Sequence, residues 1–249
     1  MLDFSNKYIL ITGASSGLGR ALSIILDSYG ANLVLTGRNE LELQNTLAVL
    51  KGKNNSIFSH DLNEISQLPS LLEKLFSNKI LYDGFVHCAG VHTFLPLNLL
   101  TIDDISTAFH VNVYAPFLII KELSRKKNFN SNASIVLISS VMASLGSSSL
   151  SVYSSSKAAQ LGLVKSLAVE LANKKIRVNS ISASLLASKI LDKVKTKTST
   201  NSFHEIENKH LLGLGSYDDI IPSIVHLLSD QSLWITGSNM IVDGGYSSW

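Results

Sequence analysis

Short apolar runs alternate along this chain with longer stretches whose apolar residues recur at helical spacing. YILIT (8–12) is continuous and β-rich, the pattern of a strand covered on both faces. RALSIILDSYG (20–30) follows with helical periodicity and a closing glycine. NLVLTG (32–37) predicts a strand, NELELQNTLAVL (39–50) a helix and SIFSHDL (56–62) a strand. EISQLPSLLEKLF (64–76) predicts a helix, with Pro69 tolerable only near its first turn or at a break. YDGFVHCAG (82–90) predicts a fourth strand, 101–127 a long helical region, SIVLISS (134–140) a fifth strand and 151–173 a long helix. IRVNSIS (176–182), a helix over 216–229 and NMIVDGG (239–245) complete the series. This β–α alternation with helix-length crossovers predicts an α/β fold, a doubly wound parallel seven-stranded sheet with helices on both faces. No linker or repeat interrupts it, so residues 1–249 read as a single domain.

The helix at 151–173 is apolar almost all round, with Ala158, Leu161, Leu163, Val164, Leu167, Ala168 and Leu171. One face covers the sheet. The remainder predicts a helix-to-helix contact between copies, a homodimer or homotetramer, with burial under the same chain as the alternative.

Composition narrows the function. The 249 residues are 45% hydrophobic and 16% charged, which allows a sizeable core and argues against disorder. A net charge of +2 carries no nucleic-acid signature. The lysine-rich LDKVKTKTSTNS (191–202) lacks aromatics, as a solvated loop does. A single cysteine, Cys88, excludes an internal disulfide and a Cys-based metal cluster. The seven histidines show no HExxH-like spacing, so no metal site is predicted. The first segment, MLDFSNKYILITG, has an acid at Asp3 and only a strand-length apolar run, and no other run approaches a membrane span. A soluble, cytoplasmic protein without a membrane partner is expected.

TGASSGLG (12–19) lies between the first strand and the first helix. Gly13, Gly17 and Gly19 let the backbone turn tightly, while Ser15, Ser16 and Leu18 bring main-chain N–H groups to the helix start. Such a terminus attracts phosphate, and its place in the first βα connection predicts dinucleotide binding. Arg38 follows the end of the second strand, where an acid would bond ribose hydroxyls. An arginine can instead bond a 2′-phosphate, so NADP(H) is favoured over NAD(H), a solvated arginine being the alternative. Asp61, with Leu62 beside it, ends the third strand and either bonds an adenine amino group or caps the following helix.

With these pieces placed, the sequence resembles the classical short-chain dehydrogenase/reductase family over nearly its whole length. The likeness rests on TGASSGLG, HCAG (87–90), the asparagine of FHVNVYAPF, ISS (138–140), YSSSK, IRVNSI, GLGSYDDI and VDGG, all in order. The resemblance implies a Rossmann-type fold and a carbonyl/alcohol oxidoreductase. It assigns Tyr153 and Lys157 to the family's YxxxK pair and Ser140, thirteen residues before Tyr153, to its serine. Ser139 is the competing choice. Asn112 takes the fourth position, and Ala89 and Gly90 pass the cofactor, with Ser184 and Ser188 further along its path. The implied chemistry is coherent. A free tyrosine titrates near 10, and an ammonium one helical turn away would lower that value and bond the nicotinamide ribose. Ser140 would hydrogen-bond the substrate oxygen as charge develops on it, and Asn112 would hold a water that relays protons to Lys157.

Two departures stand out. HCAG replaces the family's NNAG, with His87 and Cys88 read as structural. Ala183 and Ser184 replace its Pro-Gly pair, which removes glycine's freedom beside the nicotinamide. Residues 189–210 correspond to the family's variable substrate lid, polar with Ile190, Leu191, Val194, Phe203 and Ile206 sparsely apolar. The leading expectation is an NADP(H)-dependent oxidoreductase on a small carbonyl or secondary alcohol, 3-oxoacyl groups among the candidates. The alternatives are a cofactor-sensing binding protein, a sugar-modifying relative, or an epimerase or dehydratase.

Overall fold

The computed structural model describes residues 2–77, 80–125, 128–188, 191, 196 and 200–248. Seven strands, all parallel, form one sheet: β1 (Tyr8–Thr12), β2 (Asn32–Gly37), β3 (Ser56–Ser59), β4 (Tyr82–His87), β5 (Phe129–Ser140), β6 (Arg177–Ala183) and β7 (Asn239–Val242). Their order is β3-β2-β1-β4-β5-β6-β7. The direction of winding reverses between β1 and β4, and open sheets of this kind bind ligands at the carboxyl ends of strands beside that reversal. The doubly wound prediction therefore holds.

The helices are α1 (Gly17–Ser28), α2 (Glu40–Ala48), α3 (Leu68–Phe76), α4 (Ile102–Phe109), α5 (Ala115–Ser124), α6 (Ser151–Leu171), α7 (Thr200–Asn208) and α8 (Tyr217–Leu228). Strand side chains alternate between faces. Leu10, Phe85, Ile135 and Val178 pack with Leu71, Leu75, Ile119, Val164 and Leu171 on one face. Ile9, Ile11, Val86, Val136 and Ile181 pack with Leu22, Leu26, Ile220 and Ile224 on the other. Each such buried aliphatic contributes about 1.5–3 kcal/mol before chain entropy is charged against it. Among the described residues, no helix is long and apolar enough to cross a membrane.

The element boundaries differ from the prediction for identifiable reasons. β4 stops at His87, the partner of Thr12, because β1 turns away at Gly13. Residues 88–90 therefore leave the sheet. Pro69 sits in the first turn of α3, where its missing N–H is harmless. The long helix expected over 101–127 is broken by a wide turn at His110–Tyr114. Pro116 has no N–H to offer the carbonyl four residues earlier, that of Asn112, so the ladder opens there. On α6, Val164, Leu167, Ala168 and Leu171 are buried, whereas Val169 is 79% exposed. Of the residues expected to form a lid, 189–190, 192–195 and 197–199 lie outside the described set; Leu191 and Phe203 pack together with Leu185 and Leu214.

Candidate active site

A cleft of about 1300 Å³ runs along the carboxyl ends of the strands. The glycine turn forms one end. Gly13 has φ +71°, and a Cβ on it would stand 2.7 Å from the Ala89 nitrogen. A Cβ on Gly19 would collide with the Gly13 carbonyl. These two glycines let the turn fold back on itself and against the floor after β4. Ser16 precedes α1 without capping it, and the first turn holds no acid. Its N–H groups thus lie beside the cleft without a capping side chain or a carboxylate to repel an anion, and this donor set fits a dinucleotide pyrophosphate.

The two arginines near this end differ. Arg20 is fastened to Glu42 and Thr46. The Arg38 side chain is 79% exposed, with Asp61 at 3.8 Å. An exposed pair at this distance holds the guanidinium weakly, so it can turn to another anion. Asp61 accepts from the Asn63 N–H at 3.0 Å, a bond within the loop that caps neither the turn at Ile65–Gln67 nor α3, and its residue lines the cleft. Leu62 is buried beside it. The charge set fits a 2′-phosphate.

At the other end, α6 presents Tyr153 and Lys157 one turn apart, and β5 delivers Ser139 and Ser140. Ser139 donates to the Lys157 carbonyl at 3.1 Å, so it braces α6. Ser140 hydrogen-bonds the Tyr153 side chain and also accepts from the Met142 N–H at 3.2 Å. The geometry thus separates the two serines. Burial raises the Tyr153 phenol above its usual pKa, and Ser140 opposes this. The lowering expected from Lys157 is not the governing effect here. The Lys157 ammonium lies 5.9 Å from the Tyr153 ring centroid and donates to the Ile138 carbonyl at 2.7 Å. Burial pulls Lys157 down to about 8, with Cys88 opposing.

Asn112 is fully buried, and its side chain does not line the cleft. Its Oδ1 accepts from the Val91 N–H at 2.8 Å, while Nδ2 donates to the Val91 carbonyl at 3.0 Å and to Ser156 Oγ at 2.9 Å. It braces the loop that follows Gly90 against α6. Its carbonyl, released by Pro116, accepts from Gln160 Nε2 at 2.7 Å. Both Nδ2 protons of Asn112 are thus committed, which leaves only the second lone pair of Oδ1 for the water-holding role expected of it.

His87, the last residue of β4, is structural, as expected. Its Nε2 donates to the Val111 carbonyl at 3.1 Å, which fixes Nδ1 as the acceptor of the Thr12 hydroxyl at 2.8 Å. Thr12 in turn accepts from the Ala89 N–H at 3.3 Å. Burial first, then the Lys157 charge, hold His87 down to about 3. Burial pushes the Cys88 thiol up to about 12, so it stays protonated.

Ala89, Gly90, Ser184 and Ser188 all line the cleft, as do Gly13, Ser15, Ser16, Gly17, Leu18 and Gly19. Sequence reasoning missed three contributors. His92 sets its ring 4.6 Å from that of Tyr153. Gln160 holds the wide turn, and His210 bonds Ser184 at 2.8 Å across 26 residues of chain. A polar residue at a buried helical position is the one signal that could have found Gln160.

Comparison with known proteins agrees with this geometry. A family model described as Enoyl-(Acyl carrier protein) reductase matches residues 13–247. The 3-oxoacyl-(acyl-carrier-protein) reductase FabG of Rickettsia conorii is 30% identical over 248 residues, with 98% of each chain covered. The L-xylulose reductase of Caenorhabditis elegans is 30% identical over 256 residues, covering 99% of this chain and 98% of the relative. Among solved structures, 4-hydroxyisoleucine dehydrogenase complexed with NADH superposes with a TM-score of 0.90 at 27% identity, covering 98% of this chain and 100% of that one. With the seven-stranded sheet, the glycine turn and the Ser140, Tyr153 and Lys157 cluster in place, the chain belongs to the short-chain dehydrogenase/reductase family, oxidoreductases that interconvert CH–OH and carbonyl groups.

Proposed function

We propose that this enzyme is an NADP(H)-dependent reductase of a small carbonyl compound, with Tyr153 as general acid/base. A bound nicotinamide would supply the hydride. The uncapped start of α1, with Gly13, Ser15, Ser16, Gly17, Leu18 and Gly19, holds the pyrophosphate, and Arg38 takes the 2′-phosphate. Asp61 and Leu62 frame the adenine end. Ala89, Gly90, Ser184 and Ser188 border the nicotinamide end.

Ser140 donates to the substrate oxygen and Tyr153 gives it a proton. Lys157 leaves the Ile138 carbonyl to bond the ribose, and its charge then stabilises the phenolate that remains. Asn112 acts as a brace that fixes the loop after Gly90 and the helix carrying Lys157. The observation that carries this reading is that Ser140, Tyr153 and Lys157 line one end of a cleft whose far end is the glycine turn.

The relatives' names put a 3-oxoacyl thioester first among substrates and a sugar carbonyl second. Residues 189–210 act as the lid that chooses between them. Copies of the chain pair through the exposed apolar residues of α4 to α6. A binding-only reading has one observation in its favour, the turning of Lys157 away to a backbone carbonyl.

The test is an NADPH-oxidation screen over acyl thioesters, small ketones and sugars, with Tyr153→Phe as control. Turnover of at least one class, lost by at least about a hundredfold in the variant, is expected. Tight NADPH binding with no turnover anywhere would favour the binding-only protein.

A further inference from the structure

Ser184, which borders the nicotinamide end, is paired with His210, a residue that the proposed chemistry does not use. His210 is 5% exposed, and its ring packs against Tyr246 with centroids 4.7 Å apart. Its Nδ1 lies 2.8 Å from the Ile206 carbonyl. A carbonyl can only accept, so Nδ1 carries the proton, and in the neutral ring Nε2 is left as an acceptor. Ser184 Oγ lies 2.8 Å from that Nε2. The Ser184 hydroxyl must therefore donate its single proton backwards to His210. What it offers the cleft is lone pairs alone.

The place of this acceptor follows from register. Ala183 pairs with Ser140, so Ser184 is one residue beyond the serine that meets Tyr153. Its segment runs on to Leu186, which bridges to Gly215, and Ala187, which donates to the Gly215 carbonyl at 2.8 Å. Gly215 leads into Tyr217, whose hydroxyl would stand 3.3 Å from a Cβ on Gly17. Ser184 thus lies on the wall that connects the anion-binding turn to the Ser140 and Tyr153 cluster, where the ring end of a dinucleotide anchored at that turn arrives.

We propose that Ser184, with its polarity fixed by His210 as a positioning residue, is a hydrogen-bond acceptor for the primary carboxamide N–H of the nicotinamide ring. This inference rests on the dinucleotide reading given above. It predicts that the chain distinguishes a carboxamide from a ring substituent of similar shape that lacks N–H. His210 does not touch the ligand; it removes the competing orientation in which the serine proton points into the cleft and would repel the amide.

The experiment measures Kd by fluorescence titration at pH 8 with the full-length protein and two probes. These are NADPH and its reduced 3-acetylpyridine analogue. The variants are Ser184→Ala, His210→Phe, which keeps a ring against Tyr246, and His210→Gln, whose amide oxygen can reach the Nε2 position. Ser184→Ala and His210→Phe should each weaken NADPH about fivefold, with no further loss in the double variant. His210→Gln should recover most of that loss, and binding of the acetylpyridine analogue should not move. Equal NADPH affinity in the parent, Ser184→Ala and His210→Phe would overturn the proposal. So would equal losses for both probes, which would mean a packing effect. Failure of the parent to bind NADPH or NADH at all would instead sink the dinucleotide reading beneath it.

Discussion

The proposed preference for NADP(H) rests on Arg38 and its setting. The guanidinium is exposed and lies 3.8 Å from a single carboxylate oxygen of Asp61, whereas Arg20 is already committed to Glu42 and Thr46. A phosphate offers Arg38 charge-assisted bonds that this loose pair does not. Arg38→Asp should lower kcat/KM with NADPH at least tenfold and raise the NADH-to-NADPH ratio; a parent enzyme that already prefers NADH contradicts the assignment. At this scale the sequence was informative where spacing along one element decides. Tyr153 and Lys157 stand one turn apart on α6, as their four-residue step implies, and Ser139 is spent on the Lys157 carbonyl. The pairing of Ser184 with His210 was not legible, because no local pattern links residues brought together only by the wall of the cleft. Nor was the bracing by Asn112 legible: its amide bonds Val91 and Ser156, partners 21 and 44 residues away in the chain.

Among the elements, β1, β4 and the wide turn after α4 are tied together by His87. The side chain accepts from Thr12 and donates to Val111, so it must stay neutral. Its pKa in the fold is about 3, below the ordinary value near 6.5. As pH falls, the unfolded chain takes the proton first, and stability present above pH 6.5 drains away as pH drops towards 3. Chemical denaturation from pH 7 to 4 should show the parent losing stability more steeply than His87→Gln, by about 2 kcal/mol at pH 5. Parallel curves would mean that His87 carries no such burden. Most elements were readable from periodicity, but α7 was not: Thr200–Asn208 is helical where a polar, loop-like stretch was expected. Boundaries were not readable, because they are set by neighbours: β4 ends where β1 turns at Gly13, and the 101–127 helix opens where Pro116 withholds an N–H from Asn112.

At the scale of the whole molecule, the apolar pattern specified a doubly wound sheet, and two cores on its opposite faces account for it. What alternation along one chain could not show is which helical surface stays uncovered. Ile102, Tyr114, Phe117 and Val169 remain substantially exposed on α4, the wide turn, α5 and α6, and the proposed pairing of copies would bury them. Sedimentation velocity should find the parent as a dimer or tetramer, and Phe117→Lys or Val169→Glu should shift it towards monomer. A parent that is monomeric at micromolar concentration would contradict that pairing.

The central claim is that Tyr153 delivers a proton to a carbonyl in the same cleft that receives a reduced nicotinamide. It is tested most directly by following the hydride. The enzyme is given NADPH carrying deuterium at both C4 positions, together with 3-oxoacyl thioesters, small ketones and sugar carbonyls, and products are examined by mass spectrometry. The account predicts deuterium on the carbinol carbon of at least one product, with transfer reduced by at least about a hundredfold in Tyr153→Phe while NADPH binding persists. Undiminished transfer by Tyr153→Phe, or no label in any product from a parent that binds NADPH, would contradict it.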